Sequence, residues 1–205
     1  MLVAGLTGNY GMGKSTVLKI FGELGAVTLD VDEVVDRLLR SRSVLERIRG
    51  TLGSGVFYED GQLDRTKVAV MIFGDAQKRN ALEGILHPLV FEEIEEFLRV
   101  AANANTGDGV AVIEIPLMFE KEQAGRFHKT ITVYADEETV FRRLREKGVE
   151  RDDAETRLKA QLDIGEKVRR SDFVIDNSGP INETRTKVVN IYLKLLEHKE
   201  HFRGE

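Results

Sequence analysis

Short apolar runs alternate with longer amphipathic ones along this chain. Residues 2–6, 26–29, 110–115, 130–134 and 173–175 are brief, apolar and often β-branched, the pattern of strands buried on both faces. The stretches between them carry helical spacing. The clearest lies near the C-terminus, where Val188, Ile191, Tyr192 and Leu195 fall at i, i+3, i+4 and i+7. This alternation predicts an α/β fold, a five-stranded parallel sheet covered by helices on both faces. From 34 to 102 the alternation stops and the spacing is helical throughout, which predicts a helical lobe inserted after the second strand. Within it Asp64 is placed to cap a helix carrying Val68, Ile72 and Phe73, and Asp75 to cap the next. Pro88 interrupts that pattern, and Val90, Ile94, Phe97 and Leu98 begin another apolar face. Gly107 and Gly109 then lead back into the sheet.

Composition narrows the function classes. A length of 205 residues suits one compact domain with a small inserted lobe, and 41% hydrophobic with 32% charged residues excludes a disordered or fibrous chain. The net charge of -5 argues against a general nucleic-acid binder, which needs a basic surface to displace counterions. With no cysteine, disulfides, thiolate metal sites and cysteine nucleophiles are excluded. The first apolar run lacks a basic flank, and the run at 110–119 contains Glu114 and Pro116 and is too short to span a bilayer. The expectation is a cytoplasmic protein without a membrane or nucleic-acid partner. His198 and His201 lie in a charged C-terminal stretch and are read as solvated.

The strongest chemical signal follows the first strand. Gly8, Asn9, Tyr10, Gly11, Met12, Gly13, Lys14 and Ser15 match G-x-x-x-x-G-K-S/T at every fixed position, with a helix expected over residues 14–24. Glycines let the backbone curl around phosphates with its N–H groups inward, and the helix N-terminus adds positive potential. Lys14 is expected at the β- and γ-phosphates of ATP and Ser15 at Mg2+, with Thr16 beside them. The loop specifies a nucleoside triphosphate, and no guanine-reading Asn-Lys-x-Asp segment is present. A small-molecule kinase fits best. A second kinase of the same core and a non-catalytic nucleotide switch are the competing readings.

Two further segments carry candidate chemistry. Asp30, Asp32 and Glu33 sit where the second strand gives way to a helix, and ligands of open α/β sheets bind at such strand ends. Asp30 and Glu33 have capping-box spacing, whereas Asp32 is a candidate to take a proton from an attacking hydroxyl or a first-turn residue favoured by the helix dipole. After the fourth strand, residues 138–157 contain Arg142, Arg143, Arg145, Lys147, Arg151 and Arg157, a source of charge for a migrating phosphoryl group or a solvated helix face.

Taken together the segments resemble the dephospho-CoA kinase family. The resemblance rests on Gly5 to Gly8 leading into the loop, Asp30-Val31-Asp32, Asp60 to Arg65, Phe73, Leu82 to Pro88, Pro116-Leu117-Met118-Phe119-Glu120, Arg157 with Gln161, and Asp172 to Asn177. It implies transfer of the ATP γ-phosphate to the 3′-hydroxyl of the dephospho-CoA ribose. It also implies a three-layer P-loop kinase core with a helical substrate lobe at 34–102 and a helical lid at about 138–165. In that picture Asp32, Lys14 and Arg143 are catalytic. ATP meets residues Asn9 through Thr16, Asn177 and Gly179, while Asp32, Arg65, His87 and Leu117 face dephospho-CoA. Two positions depart from the family pattern. Lys147 stands where members often carry a second lid arginine and lacks its bidentate fork, and Glu114 stands where an aspartate is common.

Overall fold

The computed structural model describes residues 1–104 and 109–202, without the side chains of 200–202. Gly107 and the side chain of His201 lie outside the described residues. The chain divides into two compact units, Met1–Asp30 with Val100–Glu205, and Val31–Arg99.

The first unit is built on a parallel sheet of five strands, β1 (Leu2–Thr7), β2 (Val27–Asp30), β3 (Val110–Glu114), β4 (Lys129–Tyr134) and β5 (Phe173–Asp176), in the order β2-β3-β1-β4-β5. All six residues of β1 and all five of β3 are buried, which is why both read as apolar runs up to Thr7 and Glu114 at their ends. Register pairs Leu2 with Val110 and Ala4 with Lys129. Leu2, Ala4 and Leu6 point to one face, where they meet Val17 and Phe21 of α1 (Lys14–Glu23) and Val188, Ile191 and Leu195 of α9 (Ile181–Phe202). The four apolar positions read from the C-terminal periodicity are all buried. On the opposite face Ile113, Met118 and Phe119 are buried, and the hydroxyl of Thr132 in β4 donates to the carbonyl of Lys167 in α8 (Ile164–Arg170).

Two more helices complete this unit, α6 (Glu137–Glu146) and α7 (Arg151–Lys159). Asp136 caps α6, accepting from the N–H and hydroxyl of Thr139, and those bonds hold its carboxyl below the ordinary carboxylate range. Val140 and Leu144 of α6 pack with Ala154 of α7 and with Met12. The basic stretch at 138–157 thus spans two helices and the turn between them.

The second unit is helical, with α2 (Val31–Leu38), α3 (Arg42–Leu52), α4 (Arg65–Gly74) and α5 (Ala76–Asn103), whose last residues belong to the first unit. Its core gathers Val44, Ile48, Leu52, Val56, Val68, Leu82 and Ile85. Asp64 caps α4 through the N–H of Lys67, and Asp75 accepts from Gln77 N and Lys78 N at the start of α5. Two expectations are corrected here. Pro88 does not end a helix but sits inside the 28-residue α5, with Leu82 and Ile85 buried before it and Val90 and Ile94 buried after it. Phe73 does not join Val68 on the buried face of α4; it is 79% exposed, because five residues turn it off the stripe.

Candidate functional site: the phosphate loop and its supports

The loop at 8–15 runs from the end of β1 into α1, and its fixed glycines have separate steric causes. Gly8 adopts φ 150°, and a Cβ there would lie 2.2 Å from the carbonyl oxygen of Val133 in the neighbouring strand. Gly13 adopts φ 87° at the N-cap of α1, and a Cβ there would lie 2.2 Å from Asn177 Nδ2. Both positions require close backbone approach as well as the left-handed region. Met12 is buried in the apolar cluster with Val140 and Leu144, so its side chain anchors the loop, and its backbone N–H donates to Asn9 O.

Polar groups fix the loop from three directions. Lys14 Nζ lies 3.5 Å from Asn9 O and 3.9 Å from Glu114 Oε1, and Glu114 is 3% exposed at the end of β3. Ser15 and Thr16 are exposed on the first turn of α1. Asn177, just past β5, donates from Nδ2 to Met12 O at 2.9 Å and accepts at Oδ1 from Thr184 Oγ1 at 2.8 Å. Its carbonyl accepts from Arg143 Nη2 at 2.9 Å, while Arg143 Nη1 is buried with no hydrogen-bond partner among the described residues. The structure therefore brings together Lys14, Glu114, Arg143 and Asn177 around one loop. Gly179 follows in the same segment, where a Cβ would meet the Glu183 carboxylate at 2.7 Å. Leu117 is 39% exposed in the turn after β3.

Asp32, Arg65 and His87 belong to the helical unit. Asp32 is exposed in the first turn of α2. Arg65 Nη1 donates to Asp36 Oδ1 at 2.6 Å. His87 is half-buried in the middle of α5, not at a helix end as a histidine before proline would lead one to expect.

One charged group escapes sequence reading. Lys167 is wholly buried, with Nζ 2.7 Å from Glu120 Oε1 and 3.3 Å from Pro116 O. Burial pushes its pKa down; the hydrogen bond and charge of Glu120 oppose this, and the charge of Lys14 adds to the lowering. Its partner is 47 residues away, so no local spacing marks it. One cavity in this unit, about 460 Å³, is bordered by Asn9, Met12 and Gln161. Another, about 700 Å³, lies by Phe141, Arg142 and Arg151 and takes no residue from the loop.

Comparison with known proteins fits this geometry. The dephospho-CoA kinase family profile matches residues 2–183. The chain is 40% identical over 192 residues to a dephospho-CoA kinase of Aquifex aeolicus, covering 93% of this chain and 96% of that one. A crystal structure of a Thermus thermophilus protein superposes with a TM-score of 0.83 at 31% identity, over 94% and 96% of the two chains. A dephospho-CoA kinase from Campylobacter jejuni shares the fold with a TM-score of 0.60 at 23% identity, over 94% and 96%. With the phosphate loop intact and the match running nearly end to end, the chain belongs to the dephospho-CoA kinase family, and its activity is phosphoryl transfer from ATP to dephospho-CoA.

Proposed function

We propose that the loop at 8–15 holds the ATP phosphates, with Lys14 reaching the transferred group. The observation that carries this reading is the loop's construction: Gly8 and Gly13 are sterically obligatory, and Glu114 and Asn177 support it from the C-terminal ends of β3 and β5. Backbone N–H groups and the start of α1 then face a polyphosphate, where the helix dipole favours negative charge. Asp32 takes the proton of the acceptor hydroxyl as it attacks. The Nη1 edge of Arg143, buried with no hydrogen-bond partner among the described residues, is directed to phosphate charge or the base of ATP, and Asn177 and Gly179 line the nucleotide's passage. Helical residues 34–102, with Arg65 and His87, receive dephospho-CoA together with Leu117, and the segment at about 138–165 acts as the lid.

The donor set suits Mg2+. The Ser15 hydroxyl and the Glu114 carboxylate are hard oxygen donors, the second through water. Among the described residues no group of three or more His, Cys, Asp or Glu side chains forms a cage, which fits an ion bound mainly by phosphates and water. When bound, Mg2+ neutralises charge on the phosphates.

The test is a coupled assay of ADP release with and without dephospho-CoA, alongside a panel of other hydroxyl acceptors, on wild type and Lys14→Ala. Acceptor-dependent release that is lost in a folded Lys14→Ala chain supports the reading. Near-wild-type turnover in that variant overturns the phosphate-loop assignment.

A further inference from the structure

The outer limb of the phosphate loop, Asn9 and Tyr10, is tied to a segment far away in sequence. Tyr10 N donates to Gln161 Oε1 at 2.8 Å, and Asn9 Nδ2 donates to Leu162 O at 3.0 Å. Both acceptors sit in the turn between α7 and α8. That turn is itself held, because Leu162 N donates to Glu120 Oε1 at 3.0 Å. The same carboxylate oxygen receives the buried ammonium of Lys167, which also donates to Pro116 O. Pro116 O accepts in addition from Thr7 Oγ1 at 2.9 Å, and Thr7 is the last residue of β1 before the loop. The bonds make a closed circuit, from Thr7 through Pro116, Lys167, Glu120 and Leu162 to Asn9 and back along the chain. Above it the Arg157 guanidinium lies 5.1 Å from the centre of the Tyr10 ring.

A buried ion pair is a poor source of net stability, since apolar residues of similar volume often do as well. What it supplies here is direction: one carboxylate fixed by a cation presents its oxygen to one backbone N–H. We propose that Gln161, supported by Glu120 and Lys167, is a positioning residue for phosphoryl transfer, setting the Asn9–Tyr10 limb against the ATP phosphates. Through it the turn between α7 and α8 is tied to the phosphate loop. This inference rests on the assignment of the loop to ATP.

Steady-state kinetics of the full chain test it with Gln161→Met, which keeps length but removes the acceptor, Glu120→Gln, and the double variant. Losing one hydrogen bond of this kind corresponds to about three- to tenfold. Gln161→Met should raise KM for ATP by that factor and leave KM for dephospho-CoA unchanged. The double variant should lose no more in kcat/KM for ATP than the worse single variant, because both act through one turn. An unchanged KM for ATP in Gln161→Met overturns the proposal, as do losses that multiply in the double variant. Equal loss toward both substrates that merely follows a lower Tm also overturns it. If Glu120→Gln does not fold, Gln161→Met alone decides. Failure here is distinct from failure of the ATP assignment: an active Lys14→Ala sinks the latter, whereas an inactive Lys14→Ala with a normal Gln161→Met sinks this inference alone.

Discussion

Truncating Asn177 to alanine should damage stability and ATP use together. The side chain is 3% exposed, and its two ends join Met12 O to Thr184 Oγ1. Removal leaves a buried carbonyl and a buried hydroxyl without their partner, and each orphaned group costs about 1–3 kcal/mol. Thr184 can turn toward its own helix backbone, so the lower part of the sum applies, roughly 2–4 kcal/mol. For a chain of this size that is a fall in Tm of about 5–15 °C. Thr184→Val removes one of the two bonds and should cost about half as much. Asn177→Asp keeps an acceptor for Thr184 but turns a carboxylate oxygen toward Met12 O, so it should be no better than alanine. The assay is differential scanning calorimetry combined with KM for ATP. Because the bond to Met12 O shapes the loop, KM for ATP should rise in both Asn177 variants. If Asn177→Ala melts within about 2 °C of wild type with unchanged KM for ATP, the bracing role is wrong.

Asp32→Asn keeps shape and removes the base, so turnover should fall about 10²–10⁴-fold with little change in ATP affinity. Normal turnover would return Asp32 to a first-turn residue of α2. Arg143→Ala should lower turnover far more than Tm, while Arg145→Ala, exposed on the same helix, should resemble wild type; equal behaviour of the two removes Arg143 from the site. Asp172 predicts an acid dependence. Burial alone would raise its pKa, but hydrogen bonds from Thr130 and the charge of Lys129 together outweigh it and the net shift is downward. A carboxyl lowered on folding stabilises above its unfolded pKa and loses that contribution as pH falls through the folded value. The Tm gap between wild type and Asp172→Asn should thus be widest near neutrality and close below the ordinary carboxylate range. A pH-independent gap would show that its charge is not what matters.

The legible parts of this molecule were those specified within a few residues. β1 and β3 announce themselves because burial on both faces leaves them apolar up to Thr7 and Glu114 at their ends, and the phosphate loop because its fixed residues fall within eight consecutive positions. Pro88 shows where local rules lose. A proline inside a helix costs about 3 kcal/mol. Each buried aliphatic side chain contributes about 1.5–3 kcal/mol, and Leu82, Ile85, Val90 and Ile94 flank the proline on one continuous helix. Packing therefore decides the issue. Asn177 enters the sequence reading only through the family resemblance, and its bond to Met12 O bridges 165 positions and has no trace in local spacing. Lys167 was invisible for the same reason. A lysine among Gly165, Glu166 and Arg169 looks solvated until Glu120 is placed beside it.

The strand order also dictates a timetable for synthesis. β1 lies at the centre of the sheet, yet both its neighbours come late: Leu2 pairs with Val110 and Ala4 with Lys129. During translation the first strand and its phosphate loop have no sheet partner until more than half the chain has been made. β2 is no help, since it pairs with β3 and not with β1. Meanwhile the contacts within Val31–Arg99 need nothing beyond that segment. Helices with local contacts form fast, whereas closing a sheet across such separations is slow. At about 5–20 residues per second, several seconds pass between emergence of the nucleotide loop and arrival of the strands that seat it. Asn177 arrives later still, so the segment that begins the sequence is among the last to acquire its working shape.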